Sequence, residues 1–186
     1  MLIGLDIGFG YTKTVTPYGL HVFPSVVGDW TPGAFRIGGG LEHRGAEALV
    51  VDGRPWLIGE RALRVAHRRF VGLDREWVTT PQYRVLALAA LHRCVPGSAR
   101  SVTLVTGLPV EDFAPHAEAV QRQLGGAHTL ELIPPGEPWT ITVREVHVVP
   151  QPLGTVLAEK LLANGADQIL EEIIQGSPSA PMLGSP

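Results

Sequence analysis

The chain has 186 residues, 45% of them hydrophobic, enough for one globular domain with a substantial core. Its 15 basic and 18 acidic residues leave a net charge of −3, without the basic excess of a direct nucleic-acid binder. The single cysteine, Cys94, excludes an internal disulfide and fits a reducing cytosol. Met1 leads into Leu-Ile-Gly-Leu-Asp without a basic signal-peptide start, and no apolar run is long enough to span a bilayer, so a cytoplasmic location without membrane contact is expected. The seven histidines lie far apart with no Cys/His cluster, and no protein-built metal site is expected.

Residues 1–28 read as strand, glycine turn, strand, a second turn at Pro17-Tyr18-Gly19 and a third strand, Leu20–Pro24. The first turn is Asp6-Ile7-Gly8-Phe9-Gly10-Tyr11-Thr12-Lys13, a D-x-G-x-G-x-x-K pattern. Gly8 and Gly10 can take φ > 0 and bring backbone N–H groups close to a ligand. Asp6 can face a hydrated magnesium ion and Lys13 can reach across the turn to phosphate oxygens. On these residues alone a phosphate cradle and an ordinary β-hairpin stand level. The G-x-x-x-x-G-K-[ST] loop is absent, and the β-prone Thr14-Val15-Thr16 after Lys13 excludes a dinucleotide fingerprint, which needs a helix there.

Residues 29–54 lack periodicity and read as an irregular lobe, with short strands Leu49–Val51 and Pro55–Ile58 around an Asp52-Gly53 turn. A helix is expected from Gly59 to about Phe70, and a clearer one from Pro81 to Arg93 with Thr80 as its cap and Pro81 in its first turn. Cys94 follows this apolar rod and reads as a small buried residue. Ser101–Thr106 is a β-branched run suited to a sheet interior, broken by Gly107-Leu108-Pro109. An amphipathic helix over Glu111–Leu124 ends at Gly125-Gly126. Strands follow at His128–Ile133 and at Trp139–Val149, where Trp139, Ile141 and Val143 alternate with polar residues. Helices are expected at Leu153–Ala163 and Asp167–Ile174, then a disordered Pro/Ser/Gly tail over 176–186. Antiparallel strands first and alternating strands and helices later predict an α/β fold, a mixed β-sheet flanked by helices.

Five stretches in this order carry a family resemblance. They are Gly4–Lys13, Phe23-Pro24-Ser25-Val26-Val27, Leu57-Ile58-Gly59-Glu60-Arg61-Ala62, Leu104–Val110, and Val148-Val149-Pro150-Gln151-Pro152-Leu153-Gly154. Over residues 1 to about 163 the chain resembles the N-terminal domain of the ParM/StbA-type actin-like ATPases of plasmid segregation, within the actin, sugar kinase and heat-shock chaperone superfamily. The resemblance implies a ribonuclease H-like, actin-type ATPase N-terminal domain over 1–165, with a smaller insert subdomain at 29–80, and a divergent helix and tail over 166–186. Trp30, Phe35 and Trp56 fall in that insert, as filament contacts or as a minor core, the second being favoured for Trp56.

The family holds ATP and a divalent metal between two similar domains. By resemblance Asp6 holds magnesium through water, while Gly8, Phe9, Gly10, Tyr11 and Lys13 contact the phosphates. Gln151 falls at the position that orients the attacking water, its plainer reading being a turn residue between two prolines. Gly59-Glu60 and Gly107-Pro109 read as structural turns near the cleft. No second Asp-x-Gly-x-x-Thr loop or Gly-Gly adenine segment follows Gly165, so the chain is read as a truncated half with the second ATPase domain absent, with a weak site and no ATP hydrolysis of its own. The resemblance implies self-association or a full-length actin-like partner, and a DNA-binding adaptor; the alternative is a non-enzymatic module that docks such a partner.

Overall fold

Leu2–Ile7, Tyr11–Thr16 and Gly19–Pro24 form an antiparallel meander, β1, β2 and β3, in the computed structural model, which describes residues 1–31, 48–97 and 100–151. Strand alternation turns Thr12, Thr14 and Thr16 to the inside of β2 and leaves Tyr11 and Lys13 exposed. Two further short strands, β4 (Val26–Asp29) and β5 (Ala48–Val51), precede β6 (Arg54–Ile58), which β5 meets through the Asp52-Gly53 turn. Both turn residues have positive φ, 52° and 73°, as a two-residue hairpin requires.

The longest apolar helix, α2 (Pro81–Cys94), lies across the meander. Its Thr80 cap accepts a hydrogen bond from the Tyr83 N–H at 3.3 Å, and Pro81 occupies the first turn, where its missing N–H costs nothing. Leu86, Leu88 and Leu91 are fully buried, each stabilising the fold by about 1.5–3 kcal/mol through area removed from water. Cys94 is buried as its apolar setting implies, and burial pushes its thiol up to about 11.

β8 (Arg100–Leu108) runs parallel between β1 and β10 (Trp139–Pro150). Parallel neighbours need a crossover, and the chain between β8 and β10 supplies it with α3 (Val110–Leu124), which packs on both strands, and β9 (Gly126–Ile133). Val102 and Leu104 are buried, which is why this strand is β-branched and apolar rather than alternating. β10 does alternate: Trp139, Ile141 and Val143 are buried, and Thr142 and Arg144 are exposed. With a tenth strand, β7 (Arg69–Val71), the strand order is β3-β2-β1-β8-β10-β9-β5-β6-β4-β7, one ten-stranded mixed sheet among the described residues.

One expected element is shorter and one is new. α1 spans Glu60–Val65 rather than reaching Phe70, because Ala66 turns extended and Arg69–Val71 becomes β7, an edge strand on β4. Ala66 packs on Gly28 of β4, where an added Cβ would stand 2.3 Å away, and Phe70 meets Trp56 edge-on at 6.0 Å. Strand pairing and aromatic contact thus override local helix propensity over 66–70. A 3-10 turn, Arg75–Thr79, then leads into α2. Trp56 is 3% exposed and fills the core beneath this region. Most of the irregular lobe, Phe35 with it, the two expected helices after Pro152 and the tail lie outside the described residues. Among the described residues no helix is long and apolar enough to cross a membrane.

A buried histidine ties the far half of the sheet to α2. His128 Nε2 faces the Leu124 carbonyl at 2.8 Å and its Nδ1 faces the Arg84 guanidinium at 3.3 Å, while Arg84 also pairs with Asp52 of the β5–β6 turn. A carbonyl only accepts and a guanidinium only donates, so the ring is neutral with its proton on Nε2. Burial lowers the basicity of His128, the Leu124 carbonyl opposing and Arg84 adding to the effect; burial and Arg93 lower His92 likewise. A depressed histidine contributes stability above its unfolded value of 6.5, and that contribution is lost as pH falls from there towards the folded value. The melting temperature should therefore drop on acidification below about 6.5, and His128→Gln should shallow that slope, His92 supplying what remains, in melting curves recorded from pH 7.5 to 5.

Candidate functional site

Parallel pairing brings three carboxyl-terminal strand ends to one edge of the sheet. Leu5 pairs with Thr106 and Thr106 with Val148, so the chain leaves β1, β8 and β10 side by side. Ligands of open α/β sheets bind in the crevice outside such ends. Asp6, Gly107, Val149 and Gln151 share one face by alternation, and on the opposite face Tyr83 lies buried beside Thr106. Burial, with the nearby Asp6 charge, pushes the Tyr83 phenol up to about 12, the Thr106 hydroxyl opposing, so the phenol stays protonated beneath the site.

Asp6 and Lys13 are register partners across β1 and β2, and their side chains meet at 3.3 Å. Both remain open to solvent, 41% and 51% exposed, so the pair adds little to stability and Lys13 can change partner cheaply. From the other side the Gln151 side-chain amide donates to Asp6 Oδ1 at 3.4 Å, and the Gln151 N–H donates to the Leu108 carbonyl at 2.7 Å. Asp6, Lys13 and Gln151, separated by up to 145 positions in the chain, thus form one polar group.

The hairpin tip differs from expectation in one respect: neither Gly8 nor Gly10 is among the described residues with positive φ. At Gly10 the missing side chain leaves open space, since a Cβ there would meet nothing within 4 Å among the described residues, whereas one on Gly8 would lie 3.4 Å from the Tyr11 carbonyl. The Gly8 N–H is spent on the Tyr11 carbonyl at 3.1 Å, and the Gly10 carbonyl accepts from the Ser25 N–H at 2.9 Å. The N–H groups of Phe9 and Gly10 have no hydrogen-bond partner among the described residues. The Phe9 and Tyr11 side chains are exposed at the tip. Two amides free among the described residues, in the hairpin that carries an ammonium, suit an anion with several oxygens, and the carboxylate of the same hairpin suits a hydrated cation, so this donor set fits a metal-bound polyphosphate.

Sequence reasoning missed the part played by Gly107. A Cβ there would lie 3.1 Å from Gln151 Cγ, tighter than ordinary contact, so glycine is what lets the Gln151 side chain cross β8 towards Asp6. Its only sequence signal is a glycine one residue from the end of an interior strand. Gly107→Ala should leave the fold intact and push Gln151 off Asp6, which the side-chain amide resonances of Gln151 would report as a shift towards solvent-exposed values.

Residues 4–154 match the family described as actin like proteins N terminal domain. No curated protein sequence matches the chain. The archaeal actin homolog Ta0583 superposes with a TM-score of 0.69 at 24% identity, covering 88% of this chain and 49% of its own, and its complex with ADP gives 0.62 at 22% identity, covering 88% and 47%. The apo psk41 ParM protein superposes with a TM-score of 0.69 at 21% identity over 84% of this chain and 51% of its own. ParM from a 15-stranded Clostridium botulinum filament gives 0.61 at 20% identity over 88% and 50%. The chain spans about half the length of these structures. It belongs to the actin-like protein N-terminal domain family.

Proposed function

We propose that the Asp6–Lys13 hairpin is one phosphate-binding face of a magnesium-nucleotide site, and that the protein acts in ATP-dependent, filament-based DNA partitioning of the plasmid-segregation type. The observation that carries the reading is the convergence of Asp6, Lys13 and Gln151 beside the free Phe9 and Gly10 amides at the ends of three parallel strands. The Ta0583 complex with ADP and the Clostridium botulinum ParM filament support it by likeness of fold.

In this reading the Phe9 and Gly10 N–H groups and the Lys13 ammonium hold phosphate oxygens, with Gly8 and Tyr11 closing the turn beneath them. Asp6, released from Lys13, accepts hydrogen bonds from water on magnesium. The metal neutralises phosphate charge when bound. Gln151, held over Gly107, keeps its amide at the cleft edge, where it can orient a water molecule. The described residues supply one phosphate face, which by itself makes fewer contacts with a nucleotide than a cleft closed from both sides.

A second reading is a docking module for a full-length actin-like partner. It is favoured by β3, an edge strand whose Leu20 and Val22 are 56% and 48% exposed. Titration of the chain with magnesium-ATP, followed by heat or by melting temperature, separates the two. Lys13→Ala should weaken binding by about tenfold, the loss of one charge-assisted phosphate contact. An identical response from Lys13→Ala and wild type would rule out the phosphate role of Lys13. Nucleotide-independent co-sedimentation with a full-length actin-like filament would favour the docking module.

A further inference from the structure

The hairpin tip is not closed by its own turn alone. The Ser25 N–H donates to the Gly10 carbonyl at 2.9 Å, and the Ser25 hydroxyl lies 2.9 Å from the Thr12 hydroxyl, both residues being fully buried. The next residue, Val26, accepts a hydrogen bond from the Gly59 N–H at 2.8 Å, and the Gly59 carbonyl accepts from the Leu63 N–H in the first turn of α1 at 3.0 Å. Gly59 has φ of +63°, a backbone state that suits glycine, and an added Cβ there would lie 3.3 Å from the Phe23 ring. Phe23 is the register partner of Thr12 and carries the Arg93 guanidinium over its face at 4.1 Å. One short series of bonds therefore runs from the tip of the hairpin, through Ser25 at the β3–β4 junction, to Gly59 and α1.

A simple two-strand hairpin needs none of this. The neighbouring buried Thr14 hydroxyl has no hydrogen-bond partner among the described residues, whereas those of Thr12 and Ser25 are each other's partner, so removing one leaves the other unsatisfied inside the protein. The Gly10 carbonyl is held by Ser25 on one side of the tip and the Gly8 N–H by Tyr11 on the other. Between these two anchors the Phe9 and Gly10 amide planes have little freedom. From this geometry we infer that Thr12 and Ser25 are positioning residues. They preset the two free amides for an anion and transmit its arrival to β4 and α1. The inference rests on the phosphate reading of the hairpin for its ligand, but not for the presetting.

The two parts separate in a hydrogen-exchange experiment on the whole chain. Thr12→Val removes the hydroxyl at nearly constant volume, and Thr12→Ser keeps it and serves as the conservative control. Without ligand, the Gly8 and Ser25 amides should exchange about tenfold faster in Thr12→Val than in Thr12→Ser, after both are matched in distance from their melting temperatures. With saturating magnesium-ATP, the wild type and Thr12→Ser should gain protection over 8–13 and also over 26–29 and 57–63. Thr12→Val should need about tenfold more nucleotide and gain protection over 8–13 alone. Equal ligand-free exchange in the two variants overturns the presetting role. Protection confined to 8–13 in the wild type overturns the transmission. No response of the wild type to magnesium-ATP anywhere refutes the phosphate reading itself and the transmission with it, while the ligand-free comparison still decides the presetting.

Discussion

The parallel pairing of β1, β8 and β10 is the constraint on which the rest of the molecule depends. Its hydrogen bonds hold three strands that are far apart in the chain in one direction, so their carboxyl ends meet. Asp6 near the end of β1, Gly107 near the end of β8 and Gln151 just past β10 stand at those ends, with Lys13 facing Asp6 from β2. The pairing is secured from beneath by α2, whose apolar side chains cover the inner faces of Ile3, Leu5 and Leu104. Slipping β1 or β10 by one residue would turn Asp6 or Gln151 into that core and expose an aliphatic residue in its place.

The inner face of β2 is a second, quieter constraint. It carries threonines where a core strand usually carries valine or isoleucine, all fully buried. Thr12 finds Ser25, and Thr16 donates to the Gly19 carbonyl at 3.3 Å while accepting from the Tyr18 N–H at 3.1 Å. The hydroxyls therefore fasten both ends of β2, one at the hairpin tip and one at the following turn. Branched side chains keep the strand propensity, and the Thr12 and Thr16 hydroxyls add directed bonds that methyl groups cannot make, while Thr14 between them has no partner among the described residues.

Much of this was readable from the residues. α2 announces itself by a cap, a proline in the first turn and an unbroken apolar body, and β8 by a β-branched run. Those signals are local, and burial reinforces them. β7 was not readable, because Arg69–Val71 continues a helix-prone segment and becomes a strand only where β4 offers its edge and Phe70 meets Trp56. β4 was equally hidden, since Ser25 breaks an extended stretch without any glycine to mark the corner. In the site, the D-x-G-x-G-x-x-K spacing drew attention to Asp6 and Lys13, and Gln151 came only from the order of segments. Nothing near Gly107 in sequence pointed to Gln151, because the reason for that glycine lies across the sheet.

The sequence by itself determined the meander, the apolar helix, the interior strand and the hairpin that carries Asp6 and Lys13, because each is written in neighbouring residues through period, capping and turn chemistry. The tertiary structure alone decided three things: that neither glycine of the hairpin takes positive φ and Gly10 faces open space, that Ser25 anchors the tip, and that Gln151 crosses Gly107 to reach Asp6. Each of these joins residues from different strands. Register and strand order set such contacts, and they follow from packing the whole sheet on its helices rather than from any local stretch of chain.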